Sequence, residues 1–118
     1  MKLSRGDVVV TRFPHASGFR GKKRPALVVQ ADVYNGAVAH LIVAQITSNL
    51  APTNDPAFVL IDVSTPEGQA TGLGQNSMVS GLFLATVFAD QVDGVIGKLS
   101  VSLMQKVDAC LRVALELQ

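Results

Sequence analysis

Two kinds of side chain in this 118-residue chain stand where they could act on a phosphodiester. The first is Arg24, immediately before Pro25 and after Lys22 and Lys23. A proline restricts the residue ahead of it to extended backbone, so the Arg24 side chain is launched from a stiffened position. A planar guanidinium grips phosphate oxygens through two parallel hydrogen bonds, and the neighbouring lysines add to the field. The second is the hydroxyl pair Thr47 and Ser48, which closes a β-branched, apolar run and follows Gln45. Asn35-Gly36 between them is a turn signal, because both residues tolerate positive φ. Arg24 lies eleven residues before Asn35, and Thr47 eleven after Gly36. Antiparallel pairing about that turn therefore sets a guanidinium and a hydroxyl across from each other at one sheet edge.

Other chemistries find little support. No Walker loop, Gly-x-Gly-x-x-Gly after a strand, His-Glu-x-x-His or Gly-x-Ser-x-Gly occurs in the sequence. Thr71-Gly-Leu-Gly74 is a turn-prone fragment. Cys110 falls on the apolar stripe of a helical pattern and reads as a small buried hydrophobe rather than a catalytic thiol. His40 opens a strand and reads as a half-buried packing residue. Asp90 and Asp93 read as solvated turn residues. One cysteine excludes an intrachain disulfide, and with only two histidines it argues against a structural zinc. No metal site and no cofactor are expected.

Net charge is +1, but it is unevenly spread. Residues 1–24 carry seven basic side chains and one acid; residues 25–118 carry three basic side chains and eight acids. Such a split suggests a local anion site, although composition alone favours a solvated charged loop. Within residues 14–24, His15 is the titratable group best placed for proton transfer, although a loop histidine beside Pro14 also suits plain exposure to water. Phe19 is placed either to stack a splayed nucleobase or to staple the loop onto the body. Arg20, Lys22, Lys23 and Ser48 complete the expected substrate contacts.

The elements that position these groups follow from pattern. Residues 7–13, 25–30, 39–47 and 57–63 read as strands, and 77–88 as a strand broken at Gly81. Residues 14–24, 48–56 and 64–76 read as loops. From Val101 the period changes: Leu103, Met104, Val107, Cys110, Leu111, Ala114 and Leu115 share one face of a helix capped by Ser100. Asp108/Arg112 and Arg112/Glu116 are i, i+4 pairs of opposite sign. Apolar residues make up 48% of the chain, enough for a core and too many for a disordered protein. About five short strands and a terminal helix imply one domain over residues 1–118, mainly β, as a small curved sheet or barrel closed by the helix. The longest apolar stretch, Gly81–Ala89, is too short to span a bilayer, and residues 1–7 lack a signal-peptide core. A cytoplasmic protein without membrane contact is expected. Packing Leu82, Phe83, Leu84 and Phe88 into so short a chain favours a homodimer.

Gly6-Asp-Val-Val, Lys23-Arg-Pro-Ala-Leu-Val-Val-Gln30, Ile42-Val-Ala-Gln-Ile-Thr47 and Lys98-Leu-Ser100 followed by Lys106-Val-Asp108 resemble the MazF/PemK toxins, in order and across essentially the whole chain. The resemblance implies an SH3-like, CcdB/PemK-like barrel with a C-terminal helix and a homodimer. It implies a metal-independent ribonuclease that cuts single-stranded mRNA at short sequences and is neutralised by a small MazE-like antitoxin. It assigns catalysis to Arg24 and Thr47. Many relatives carry a Glu-Gln-Ile-Arg-Thr-like run in a late strand. Here Leu82-Phe83-Leu84-Ala85-Thr86 occupies that place, so the polar contacts of that run do not carry over. The same barrel serves the CcdB toxins, which trap a topoisomerase without cutting RNA. A non-catalytic binder of that kind, or a decayed toxin that keeps only antitoxin or RNA binding, is the alternative; retention of both Arg24 and Thr47 favours the nuclease.

Overall fold

A computed structural model describes residues 2–13, 22–50 and 54–118. The candidates His15, Phe19 and Arg20 lie outside the described residues. Six strands form one antiparallel sheet: β1 (Asp7–Arg12), β2 (Lys23–Val28), β3 (His40–Thr47), β4 (Phe58–Ile61), β5 (Ser77–Phe88) and β6 (Gly94–Lys98), in the order β4-β5-β3-β2-β1-β6. A one-turn helix, α1 (Pro66–Gln69), sits between β4 and β5, and α2 (Val101–Leu115) follows β6.

Strand alternation splits the core across the two faces of this sheet. Val8, Leu27, Ala44, Ile46 and Val79 point to one side and pack on Leu103, Val107 and Cys110 of α2. Val9, Ala26, Val28, Leu41, Val43 and Val87 point to the other, with Leu3, Phe13 and Val92. Burying each such Leu or Val contributes about 1.5–3 kcal/mol, so the two clusters together fix which face each strand residue takes. The second face is concave. Phe13, just past β1, and Phe83 of β5 meet edge to face with centroids 5.2 Å apart, although β2 and β3 separate their strands in the sheet.

Several expectations hold. Ser100 caps α2, its hydroxyl accepting the N–H of Leu103 at 3.1 Å. Gly36 takes φ +85°, as the turn signal requires. Cys110 is buried, and its thiol donates to the Ala57 carbonyl at 2.9 Å. Others need correction. The second strand starts at Lys23, so Arg24 lies inside it rather than at a loop–strand junction. Residues 94–98 form a sixth strand, and residues 66–69 of the expected 64–76 loop form a helix capped by Thr65. The break at Gly81 is a bulge: Gln45 pairs with Ser80 and Ala44 with Leu84, leaving Gly81, Leu82 and Phe83 without a Cα partner on β3. His40 is exposed rather than half-buried. Asp108 pairs with Arg5 at 2.7 Å, which ties α2 to the N-terminal segment.

Candidate active site

The register of β2 and β3 carries the site. Ala26 pairs with Gln45, Leu27 with Ala44 and Val28 with Val43. The β2/β3 ladder ends at the Ala26/Gln45 pair, and Arg24 and Thr47 stand two residues beyond it on their respective strands, where the same register, continued, would set them opposite each other. On the other side of β2, Arg24 pairs directly with Thr11 of β1. Residues paired in an antiparallel ladder share a face. Thr11, Arg24, Gln45 and Thr47 therefore share the concave face with Val9, Ala26 and Val43.

Thr47 is fixed by its neighbours. Its backbone pairs with Met78 of β5, and its Oγ1 accepts the N–H of Asn49 at 3.1 Å. That bond leaves the hydroxyl proton free to donate to an incoming oxygen. Arg24 is exposed, and no described residue forms an ion pair or hydrogen bond with its guanidinium. A cavity of about 420 Å³ opens at this end of the sheet, lined by Lys23, Arg24, Pro25, Ile46 and Ser48 and, opposite them, by Leu73, Gly74, Gln75 and Ser77. The structure thus brings together Arg24, Lys23 and Ser48 around one opening, with Thr47 beside Ser48. Lys22 is exposed at the entry to β2.

Gln75 and Ser77 were missed from the sequence, where Gln75 falls in the 64–76 polar connection and Ser77 opens the 77–88 strand. The available signal was the polar run Gln75-Asn76-Ser77 directly before an apolar strand. Its placement depends on packing that no local pattern shows. A Cβ on Gly97 of β6 would collide with the backbone of Ala70 and Thr71, and the Lys98 N–H donates to the Ala70 carbonyl at 3.1 Å. The 70–75 turn is held against β6 by that close approach, and its far end reaches the opening. Lys23 also departs from expectation: its Nζ lies 2.9 Å from Asp93 Oδ2, so Asp93 is an ion-pair partner and not simply a solvated turn residue.

Among the described residues, no group of three or more His, Cys, Asp or Glu side chains is placed to hold a metal ion. No helix among them is long and apolar enough to cross a membrane.

The strongly curled antiparallel sheet, backed by a C-terminal helix, makes a small mainly β half-barrel that carries Arg24 and Thr47 at one end. Residues 4–115 match the PemK-like, MazF-like toxin of type II toxin–antitoxin systems, and the chain belongs to this family. It is 34% identical over 119 residues to endoribonuclease MazF6 of Mycobacterium tuberculosis, covering 99% of this chain and 100% of the relative. It is 30% identical to endoribonuclease EndoA of Bacillus subtilis, covering 99% and 97%. The fold matches a mycobacterial endoribonuclease solved in complex with its cognate antitoxin, with a TM-score of 0.77 at 20% identity over 98% and 97% of the two chains. It also matches MazF in a MazE-MazF structure from Deinococcus radiodurans, with a TM-score of 0.75 at 20% identity over the full length of both.

Proposed function

We infer that this chain is the endoribonuclease toxin of a toxin–antitoxin pair, cutting single-stranded mRNA at short sequences. Family membership carries the ribonuclease assignment, and the observation that supports the site is the β2/β3 register, which, continued two residues past Ala26 and Gln45, would set Arg24 across from Thr47. In the proposed reaction the substrate's own 2′-hydroxyl attacks the adjacent phosphorus and the bond to the 5′-oxygen breaks. The products are a 2′,3′-cyclic phosphate and a 5′-hydroxyl. Arg24 offsets the charge that builds on the pentacoordinate transition state, and Thr47 donates a hydrogen bond to a phosphate oxygen and orients the attack. Lys22, Lys23 and Ser48 meet the flanking backbone, with His15, Phe19 and Arg20 of the neighbouring segment in the roles assigned from sequence.

Charge supports a MazE-like antitoxin as the partner. An acidic, apolar tail would set its carboxylates where RNA phosphates go, against Lys22, Lys23 and Arg24. A homodimer is supported by apolar area one chain leaves uncovered: Leu82 is 62% and Phe88 58% exposed, whereas Leu84 packs into the helix-side core. The cytoplasm, where mRNA is translated, is the proposed compartment, and residues 1–118 act as one domain.

Incubation with a long single-stranded RNA tests the reading. Cleavage that persists in EDTA and leaves 2′,3′-cyclic phosphate and 5′-hydroxyl ends is expected. Intact RNA, or cleavage that chelation abolishes and magnesium restores, would contradict it.

A further inference from the structure

The bulge in β5 does more than relieve strand pairing. It interrupts the ladder at Gly81, Leu82 and Phe83, next to Gln45, which occupies the concave face one row from Thr47. Phe83 leaves the bulge toward that face, where its ring meets Phe13 at 5.2 Å with the planes inclined by 61°. The two rings differ in solvent contact. Phe13 is 4% exposed and belongs to the concave-side core, whereas Phe83 is 39% exposed. An edge-to-face contact occupies one part of a ring and leaves a π-face available. Beyond the apolar cluster of Val9, Ala26 and Val43 this face turns polar toward the end that carries Arg24: Gln45 and Thr47 on β3 are partly exposed and Arg24 on β2 is exposed, while Thr11 and Ser80, paired with Arg24 and Gln45, are buried.

We propose that Phe83 is a nucleobase-stacking platform of the RNA site, held by Phe13 so that a base next to the scissile phosphate lies on its exposed face. Single-stranded RNA is recognised by splaying bases onto aromatic side chains, and such stacking tolerates sequence until neighbouring polar groups select an edge. Gln45, which offers both a donor and an acceptor, is the polar group nearest in the register to make that selection. The proposal rests on the ribonuclease reading above. A second copy of this chain is the competing occupant. The accessible polar groups at the Arg24 end of the concave face, Arg24, Gln45 and Thr47, favour RNA there, while Leu82 and Phe88 supply a more exposed apolar surface for a partner subunit.

The test compares wild type with Phe83→Leu, which preserves an apolar contact to Phe13, and Phe83→Tyr, which preserves the ring. The first measurement is the affinity of the intact protein for fluorescent single-stranded DNA octanucleotides, which lack the 2′-hydroxyl and cannot be cut. This readout does not depend on cleavage. Phe83→Leu is expected to weaken binding about tenfold and Phe83→Tyr to restore it, the scale of one lost stacking contact. The second is cleavage of a long RNA with every cut site sequenced: Phe83→Leu is expected to raise KM about tenfold with little change in kcat, and to broaden the base preference beside the cut. Equal octanucleotide affinity for wild type and Phe83→Leu would overturn the proposal even if both cut RNA. So would a Tyr variant as weak as the Leu variant, or conversion of Phe83→Leu to a monomer in sedimentation while wild type is a dimer. Octanucleotide binding that follows the ring, in a protein that never cuts RNA, would sustain the platform and overturn the nuclease reading instead.

Discussion

Lys23 Nζ lies 2.9 Å from Asp93 Oδ2, which links the strand that carries Arg24 to the turn before β6. Both side chains are about half exposed, so the pair is worth about 0.2–1 kcal/mol to stability. Its larger effect is on the site. Asp93 holds a cation that RNA would otherwise claim and adds a negative charge close to incoming phosphates. Asp93→Asn is expected to tighten RNA binding about two- to fivefold at low salt, with the gain shrinking as salt rises. Fluorescence anisotropy across a salt series checks this; weaker binding would show that Asp93 positions Lys23 productively.

Thr47 is expected to act through its hydroxyl. Thr47→Ala removes both the donor to phosphate and the acceptor of the Asn49 N–H, and should lower kcat about a hundredfold. Thr47→Ser keeps Oγ and should retain a substantial fraction of activity. Single-turnover cleavage separates the cases: a serine variant as inactive as the alanine one would point to packing by the methyl group.

Ala57 links the bulge to the helix. Its carbonyl accepts both the Gly81 N–H at 2.9 Å and the Cys110 thiol at 2.9 Å. A Cβ built on Gly81 would lie 2.8 Å from Cys110 Sγ. Gly81→Ala should therefore cost about 1–3 kcal/mol in urea unfolding, and Cys110→Ala should recover part of that in the double variant. Burial pushes the Cys110 thiol above its ordinary value of 9.0, so folding favours the protonated form. Its contribution is complete below the unfolded-state pKa and is lost as pH rises through the folded one. Stability should fall on the alkaline side less steeply in Cys110→Ala than in wild type.

The antitoxin and RNA are expected to compete for one basic strip. Lys22→Glu with Lys23→Glu should weaken both, with a shallower salt slope for each. A double variant that loses RNA affinity but binds its antitoxin unchanged would separate the two surfaces.

Much of the framework that carries the candidate residues could be read from spacing because its parts are local. Equal counts from Asn35-Gly36 match the register of Ala26 with Gln45, Leu27 with Ala44 and Val28 with Val43, because a hairpin transmits such counts into register. The α2 helix declared itself through the change of period at Val101 and the Ser100 cap. What stayed hidden depends on distant partners. Gly94–Lys98 carries glycines at two of five positions and becomes a strand by pairing with β1. Pro66–Gln69 has a capping threonine and a first-turn proline, yet four residues are too few to hold a helix without tertiary support. The Lys23–Asp93 pair and the Phe13–Phe83 contact join residues seventy positions apart, and periodicity carries no trace of them.

Arg24 is the centre of the account, and its removal is the most direct test. Its guanidinium engages no described residue, so Arg24→Ala should leave the melting temperature and circular dichroism of wild type unchanged. The rate of single-turnover cleavage of a long single-stranded RNA, measured in EDTA, should fall at least about a hundredfold. An Arg24→Ala protein that cuts within a few-fold of the wild-type rate would contradict the proposed chemistry.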